Sequence, residues 1–271
     1  MITDDYDRLI LPLLQRMSKL EELDLSLFIG NRPFIDGDHL KLNILTHMPL
    51  LTKFMFHIYT STRFYEQNNC PSNESIQETF TDFTNKNIVS SVDYFRGTGF
   101  SQCRIYTHPY RLKYYDDITN NLPGGIFRSV RKVSLFDEHP FEHEFFLRLS
   151  QSFPLLEGLV VENKKQQQLK RFKTSTNFNE MLSIIKYPHL IELHLLQAHQ
   201  DYYEQFFFDT KTCLPNDVHI RVDYRIMRKI TRNFRRNSTR SNCVNISSVF
   251  FANKSNSPEH LHEYFPRARI C

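Results

Sequence analysis

The chain has 271 residues, 40% apolar and 24% charged, with 34 Lys and Arg against 30 Asp and Glu and a net charge of +4. That is enough for one large domain or two ordinary ones with a sizeable core, at an ordinary soluble balance. Only 7 Gly argue against a Gly-rich nucleotide fold or a collagen-like or linker-like chain, and apolar runs such as Phe206 to Phe208 fall far short of a membrane span.

The acidic N-terminus, Met-Ile-Thr-Asp-Asp-Tyr-Asp, has no basic n-region, so no signal peptide is expected. Five widely spaced cysteines (Cys70, Cys103, Cys213, Cys243, Cys271) include no Cys-x-x-Cys pair and read as reduced thiols of a cytoplasmic protein, a nuclear location also being open. Four Asn-x-Ser/Thr sequons, at Asn73, Asn237, Asn245 and Asn253, read as chance matches in such a chain.

Thr3-Asp-Asp-Tyr offers N-cap chemistry, and Leu9, Leu13, Leu14 and Met17 follow at helical spacing. Pro12 means that this helix either kinks or starts there. Leu20 to Leu25 alternates as a short strand, 31–37 is a turn-rich break, and 38–47 reads as helix before Met48-Pro-Leu-Leu-Thr-Lys-Phe-Met-Phe56. Residues 75–85 read as a short helix, and 87–95 with 102–107 as two strands around a Gly97/Gly99 turn, a hairpin. Tyr114 to Asn121 is expected as helix, stopped by Leu122-Pro-Gly-Gly125.

The pattern then tightens. Strands are expected at 127–135 and 244–251 and, each after an opening turn, within 153–163, 187–195 and 214–222, with helices near 141–152, 177–186, 199–208 and 224–236. Aligning the strand starts gives apolar-x-x-apolar-x-apolar, filled by Leu20/Leu23/Leu25, Leu51/Phe54/Phe56, Val130/Val133/Leu135, Leu156/Leu159/Val161 and Leu190/Leu193/Leu195. A weaker copy has Ile220/Val222 with Asp217 in first place, and Pro49, Pro154 and Pro188 each stand two residues before the first apolar position.

A short strand and a helix at a period in the high twenties is the leucine-rich-repeat signature. The expected fold is therefore α/β: an irregular leucine-rich-repeat solenoid, with short parallel strands alternating with helices in a curved stack. A generic α/β domain with coincidental strand starts is the weaker alternative. The expectation is one domain over 1–271, with an irregular hairpin-containing insertion near 61–125 and a polar tail at 252–271. The Asn that usually follows the strand is mostly absent, which implies uneven coils.

Further segments carry a resemblance: Phe34-Ile-Asp-Gly-Asp-His-Leu40, Cys103-Arg-Ile-Tyr106, Pro123-Gly-Gly-Ile-Phe127, Pro140-Phe-Glu-His143, Phe153-Pro-Leu-Leu156, Pro188-His-Leu190, Asp201-Tyr-Tyr-Glu-Gln-Phe206 and Tyr264-Phe-Pro266. In this order they resemble the degenerate leucine-rich-repeat region of F-box-type proteins, in particular the expanded set of bdelloid rotifers. The resemblance implies a substrate-recognition part. It implies a ubiquitin-ligase adaptor as partner only if an F-box lies upstream, because Leu11-Pro12 here runs straight into the first repeat strand.

No Gly-x-Ser-x-Gly, phosphate loop or dinucleotide fingerprint occurs, so no enzyme and no cofactor is expected. His139-Pro-Phe-Glu-His143 matches the inverted zinc-enzyme pattern, but Pro140 between the two His argues against one helical face, and the segment reads as a helix N-terminus with Asp137 or Glu138 near the cap. His194 and His199 have no partner at ligand spacing, and Cys103 and Cys213 read as small core residues.

Function is expected where strand residues point away from the core. Lys132, Ser134, Glu157, Val160, Glu192 and His194, with Lys53 and Met55, are the candidate protein-binding face. The alternative is the segment 225–240, which holds seven positive charges and no acid and leaves the remainder at about −3 when seven is taken from +4. On a helix, Arg225, Arg228, Lys229, Arg232, Arg235 and Arg236 would share one broad face and Ile226, Ile230 and Phe234 another, offering a site for nucleic acid or an anionic surface.

Overall fold

The computed structural model describes residues 2–3, 5–63, 71–81, 83, 87–168, 183–253 and 258–271. The chain divides into two compact units, Met1–Arg111 and Leu112–Cys271, so the division falls inside the span expected as an insertion into a single domain.

The first unit contains β1 (Ile2–Thr3), α1 (Leu11–Gln15), β2 (Glu22–Gly30), α2 (Gly37–Asn43), β3 (Lys53–Arg63), α3 (Asn73–Glu78), β4 (Ile88–Phe95) and β5 (Phe100–Thr107). A π-helical turn over Tyr6–Ile10 precedes α1, and Pro12 sits at the junction, in the first turn of α1. The sheet order is β1-β2-β3-β5-β4, parallel from β1 to β3 and antiparallel across β3, β5 and β4. The expected hairpin is β4–β5. It fills the long gap between the second and third copies of the strand pattern and pairs with β3, so this sheet is mixed and the hairpin is part of it.

Alternation decides what this sheet buries. Leu25, Leu27 and Ile29 on β2, Phe56 and Ile58 on β3, and Cys103 and Ile105 on β5 pack against Leu40, Ile44, Met48, Ile76 and Phe80. Asp36 caps α2 by accepting the His39 N–H at 2.8 Å. Gly37 is required there, since a Cβ would collide with the Thr79 carbonyl. The other sheet face holds a polar network: Arg104 donates to His57 Nε2 at 3.1 Å and lies 4.6 Å over the Tyr59 ring. The Tyr59 hydroxyl donates to Gln102, which donates to Asp93. Helix was expected over 75–85; α3 ends at Glu78, and residues 82 and 84–86 lie outside the described residues.

The second unit contains β6 (Tyr114–Ile118), β7 (Lys132–Phe136), α4 (His143–Ser152), β8 (Gly158–Asn163), β9 (Ile185–Lys186), β10 (Glu192–Ala198), α5 (Gln200–Phe207), β11 (Thr212–Cys213), β12 (Val218–Asp223), α6 (Tyr224–Ile230), α7 (Asn237–Val244), β13 (Ile246–Ala252), α8 (Leu261–Tyr264) and β14 (Arg269–Ile270). Seven of these strands form one sheet in the order β14-β13-β12-β10-β8-β7-β6, every pair parallel. The unit is α/β. β9 and β11 pair separately, also in parallel.

The phrase Phe153-Pro-Leu-Leu156 now has a physical explanation. Four copies are turns in which a buried residue accepts the N–H three positions on: Met48 from Leu51, Phe127 from Val130, Phe153 from Leu156 and Tyr187 from Leu190. Pro at the second position of three of these turns is pre-set for that geometry. One row of core side chains then runs through the sheet in register: Tyr115, Val133, Leu159, Leu193, Ile220, Val249 and Ile270.

Several expectations are corrected here. Tyr114 to Asn121 is strand β6 rather than helix, because Tyr115 and Ile118 insert inward beside β7. Of the helix expected at 177–186, residues 177–182 lie outside the described residues and Ile185–Lys186 is β9. The basic helix ends at Ile230 instead of 236. Residues 258–271, expected as polar tail, bury Leu261, Tyr264 and Phe265 and add β14 to the sheet. Asn163, unremarked in the sequence, is the last residue of β8: it is buried and donates to the His139 carbonyl at 2.7 Å.

Burial first, then the Arg104 charge, pushes the His57 pKa down from 6.5 to about 3. The unfolded chain takes up that proton from pH 6.5 downward and the folded chain does not, so stability falls as pH falls through this window. Urea denaturation followed by far-UV circular dichroism should lose about 2 kcal/mol from this group between pH 7 and pH 5. His57→Gln should flatten that dependence, and an unchanged slope in the variant would rule out His57 as its source.

Candidate functional site

The strand face of the second unit brings together most of the residues singled out from sequence. Lys132, Gly158, Glu192 and His219 stand in register as one outward row, and Ser134, Val160, His194, Arg221 and Phe250 as the next. Glu157 is not in either row. It lies one residue before β8 and pairs with Arg131, Nε to Oε1 at 3.2 Å.

The centre of this face is shaped by a missing side chain. Lys132 Nζ reaches Glu192 Oε2 at 3.0 Å, passing over β8 at Gly158. A Cβ on Gly158 would lie 3.1 Å from Lys132 Cγ and 3.7 Å from Glu192 Oε2. Gly158 therefore leaves a recess of about 150 Å³, walled by Tyr114, Lys132, Ser134, Val160, Glu192 and His194. The sequence did carry a signal, a lone Gly inside a strand pattern, which commonly marks a close approach.

The chemistry of the wall is mixed. The Glu192 hydrogen bond holds the Lys132 pKa above its ordinary value. Burial, followed by the nearby Arg221 charge, holds His194 below its ordinary value, against the opposing Glu192. Ser134 is a structural member: its Oγ accepts the Asp117 N–H at 2.8 Å, where β6 bulges with a positive φ of 52°.

Towards β14 the face changes character. His219 and Arg221 are exposed on β12, Phe250 on β13 and Arg269 on β14. The Arg221 guanidinium lies 5.0 Å from the Phe250 ring centroid. Sequence reading missed all four, because the Asp217 copy is weak and the two strands after it lie outside the recurring skeleton.

The basic segment is split by its own anchor. Asp223 caps α6 by accepting from Arg225 N and Ile226 N, and Tyr224, Met227 and Ile230 are buried, with Ile226 half-buried. After Thr231 the chain takes three successive left-handed residues, Arg232, Asn233 and Phe234, with φ of 51°, 58° and 60°. This costs about 1–2 kcal/mol per non-glycine residue. It is offset where Phe234 enters the cluster of Tyr224, Phe251, Tyr264 and Phe265. Arg225, Arg228, Lys229, Arg232 and Arg235 are exposed and do not share one helical face. Arg236 is half-buried, stacked 4.2 Å over Phe208 and donating to Ile230 O, so it is a structural residue.

Other candidates resolve into structure. The His139 ring lies against Asp137, and His143 is buried with ring nitrogens near Gln205 Oε1 and the Ser183 carbonyl, both at 3.1 Å. Asp137 does not cap α4; it accepts from the backbone of His139 and Asn120. Among the described residues no group of three or more His, Cys, Asp or Glu could hold a metal ion. Burial pushes the Cys103 thiol up to about 12, whereas Cys213, expected in the core, is exposed; Cys70 lies outside the described residues. In the first unit, Lys53 pairs with Glu22, and Met55 lines a cleft of about 520 Å³ with Leu45, Leu51, Phe54 and Phe83. No helix among the described residues is long and apolar enough to cross a membrane.

Neither a protein-family model, a curated protein nor a solved structure matches the chain.

Arg221 on β12, Lys132 on β7 and Glu192 on its own strand are the charges acting on His194. Replacing Arg221 by Gln should therefore raise the His194 pKa, read by NMR titration of its ring protons. A midpoint that stays put or falls would show that Arg221 does not act on this ring.

Proposed function

We propose that this chain is a non-enzymatic protein–protein interaction module, an irregular leucine-rich-repeat solenoid that serves as the substrate-recognition part of an F-box/LRR-type protein. The observation that carries the reading is the outward face of β7, β8 and β10, where a recess over Gly158 is set among in-register polar and apolar side chains. Concave, mixed-character surfaces on a rigid sheet suit recognition of another protein's side chain. Strand succession in chain order and the resembling motifs also support the reading. An adaptor contact would come from an F-box cluster upstream.

The test places a photo-crosslinking amino acid at Val160 and a second, as control, at the exposed Glu259. A discrete partner adduct is expected from position 160 and not from 259. Gly158→Trp, which fills the recess, should abolish it with the circular dichroism spectrum unchanged. Equal adducts from both positions would overturn the assignment.

A second reading has its own observation. Arg225, Arg228, Lys229, Arg232 and Arg235 are exposed, and none pairs with an acid among the described residues. Binding of single-stranded nucleic acid through them would show log K falling with log salt by roughly 0.7 per phosphate contacted. Reversing Arg228, Arg232 and Arg235 to Glu should remove that binding; retention unaffected by the reversal would eliminate this surface.

A further inference from the structure

We infer that the β10–β14 half of the strand face takes an acidic, extended segment of the partner, with an apolar residue between two carboxylates. This rests on the strand-face reading above and gives it a ligand chemistry. Between β10 and β14 the outward side chains include Arg221 and Arg269, with His194 and His219 beside them. The acids of the region are engaged. Glu192 holds Lys132, and Asp223 accepts from Arg225 N, Ile226 N and Asn253 Nδ2, the last at 2.7 Å.

Arg221 and Arg269 are exposed and make no side-chain hydrogen bond or ion pair among the described residues. Arg221 instead lies over Phe250, which is itself 41% exposed and offers an apolar surface beside the charge. Two unpaired guanidinium groups around an exposed ring, with the local acids occupied, are complementary to carboxylates flanking an apolar side chain.

Spacing sharpens the motif. Arg221 and Arg269 are two strands apart and offset by two residues along the sheet, a diagonal of about 12 Å at ordinary sheet spacings. An extended chain covers about 13 Å in four residues, so carboxylates at positions i and i+4 reach both guanidiniums. Residue i+2, on the same side of that strand, then falls beside Phe250.

The test uses fluorescence polarisation with the full chain and labelled peptides of about ten residues. The acidic probe carries Glu at i and i+4 and Val at i+2; its counterpart carries Gln in both Glu positions. The acidic probe should bind about tenfold more tightly, and Arg221→Gln with Arg269→Gln should remove that preference. Arg232→Gln with Arg235→Gln, on the basic segment, should leave it intact.

Equal binding of the two probes, or a preference that survives loss of Arg221 and Arg269, would overturn the inference. So would an oligothymidylate of matched charge that binds as tightly as the acidic probe and depends equally on Arg221. Failure here with the position-160 adduct retained removes only the acidic motif. Loss of that adduct removes the strand-face reading itself.

Discussion

The second unit depends on a hydrogen bond that recurs at the starts of β7, β8, β10 and β12. The Lys113 carbonyl accepts N–H from both Arg131 and Lys132, the Arg131 carbonyl from Glu157 and Gly158, and the Glu157 carbonyl from Ile191 and Glu192. His219 N repeats half of it on Ile191 O, and in the first unit Thr52 and Lys53 both donate to Glu21 O. Each such carbonyl starts the next strand beside the last and fixes its register. A slip by one residue would turn every core side chain to the solvent face. Because parallel strands must pair all their buried backbone groups, this one contact, repeated, determines which residues become core and which become surface.

What lies behind the sheet fills the intervals between repeats of unequal length. Phe127 stacks on Phe153 at 4.9 Å, and Phe141, Phe145, Phe146, Tyr202 and Phe206 form a continuous aromatic layer. Carboxamides satisfy backbone groups that the strands and helices leave unpaired. Gln167 donates to Phe141 O. Asn242 accepts from Leu214 N and donates to the carbonyls of Phe206, Phe207 and Thr212. Bulky rings adapt to irregular spacing, and amides close the polar gaps that this irregularity opens. This accounts for 24 Phe in a chain whose strand starts are spaced by anything from 26 to 34 residues in its regular part.

Strand starts were legible in the sequence because each has three apolar positions whose spacing leaves no alternative face, and three of them add a turn-favouring Pro. The hairpin was legible for a similar reason, since Gly99 takes a φ of 68° between two alternating runs. β6 was not, because its inward Tyr115 and Ile118 are separated by a bulge at Asp117, and the bulge destroys period two. Nor was the stop after Ile230. Only Asn233 among three left-handed residues favours that conformation, and the anchor that selects it, Phe234, finds all but one of its ring partners 17 to 31 residues further on. The outward cations were invisible for further reasons: Arg221 lies in the copy weakened by Asp217, and Arg269 lies on β14, two residues long and too short to show any period. Local pattern reads local structure, and these features are settled by distant contacts.

The Lys132–Glu192 pair shows how such a scaffold makes a surface. Both side chains are about half exposed, at 48% and 40%, and exposed ion pairs contribute about 0–1 kcal/mol. Gly within a strand costs about 0.5–1 kcal/mol relative to Ala, which is of the same size. The combination therefore adds no stability that an ordinary residue at 158 would lack. It produces shape instead: two charged side chains bridging an empty strand position, on a face whose register is already fixed by the backbone. Stability is held by the inward row from Tyr115 to Ile270, which leaves Lys132, Gly158, Glu192 and Arg221 free to differ without disturbing the fold. A surface so decoupled from its core is one whose shape and charge can be altered by single substitutions while the fold is kept.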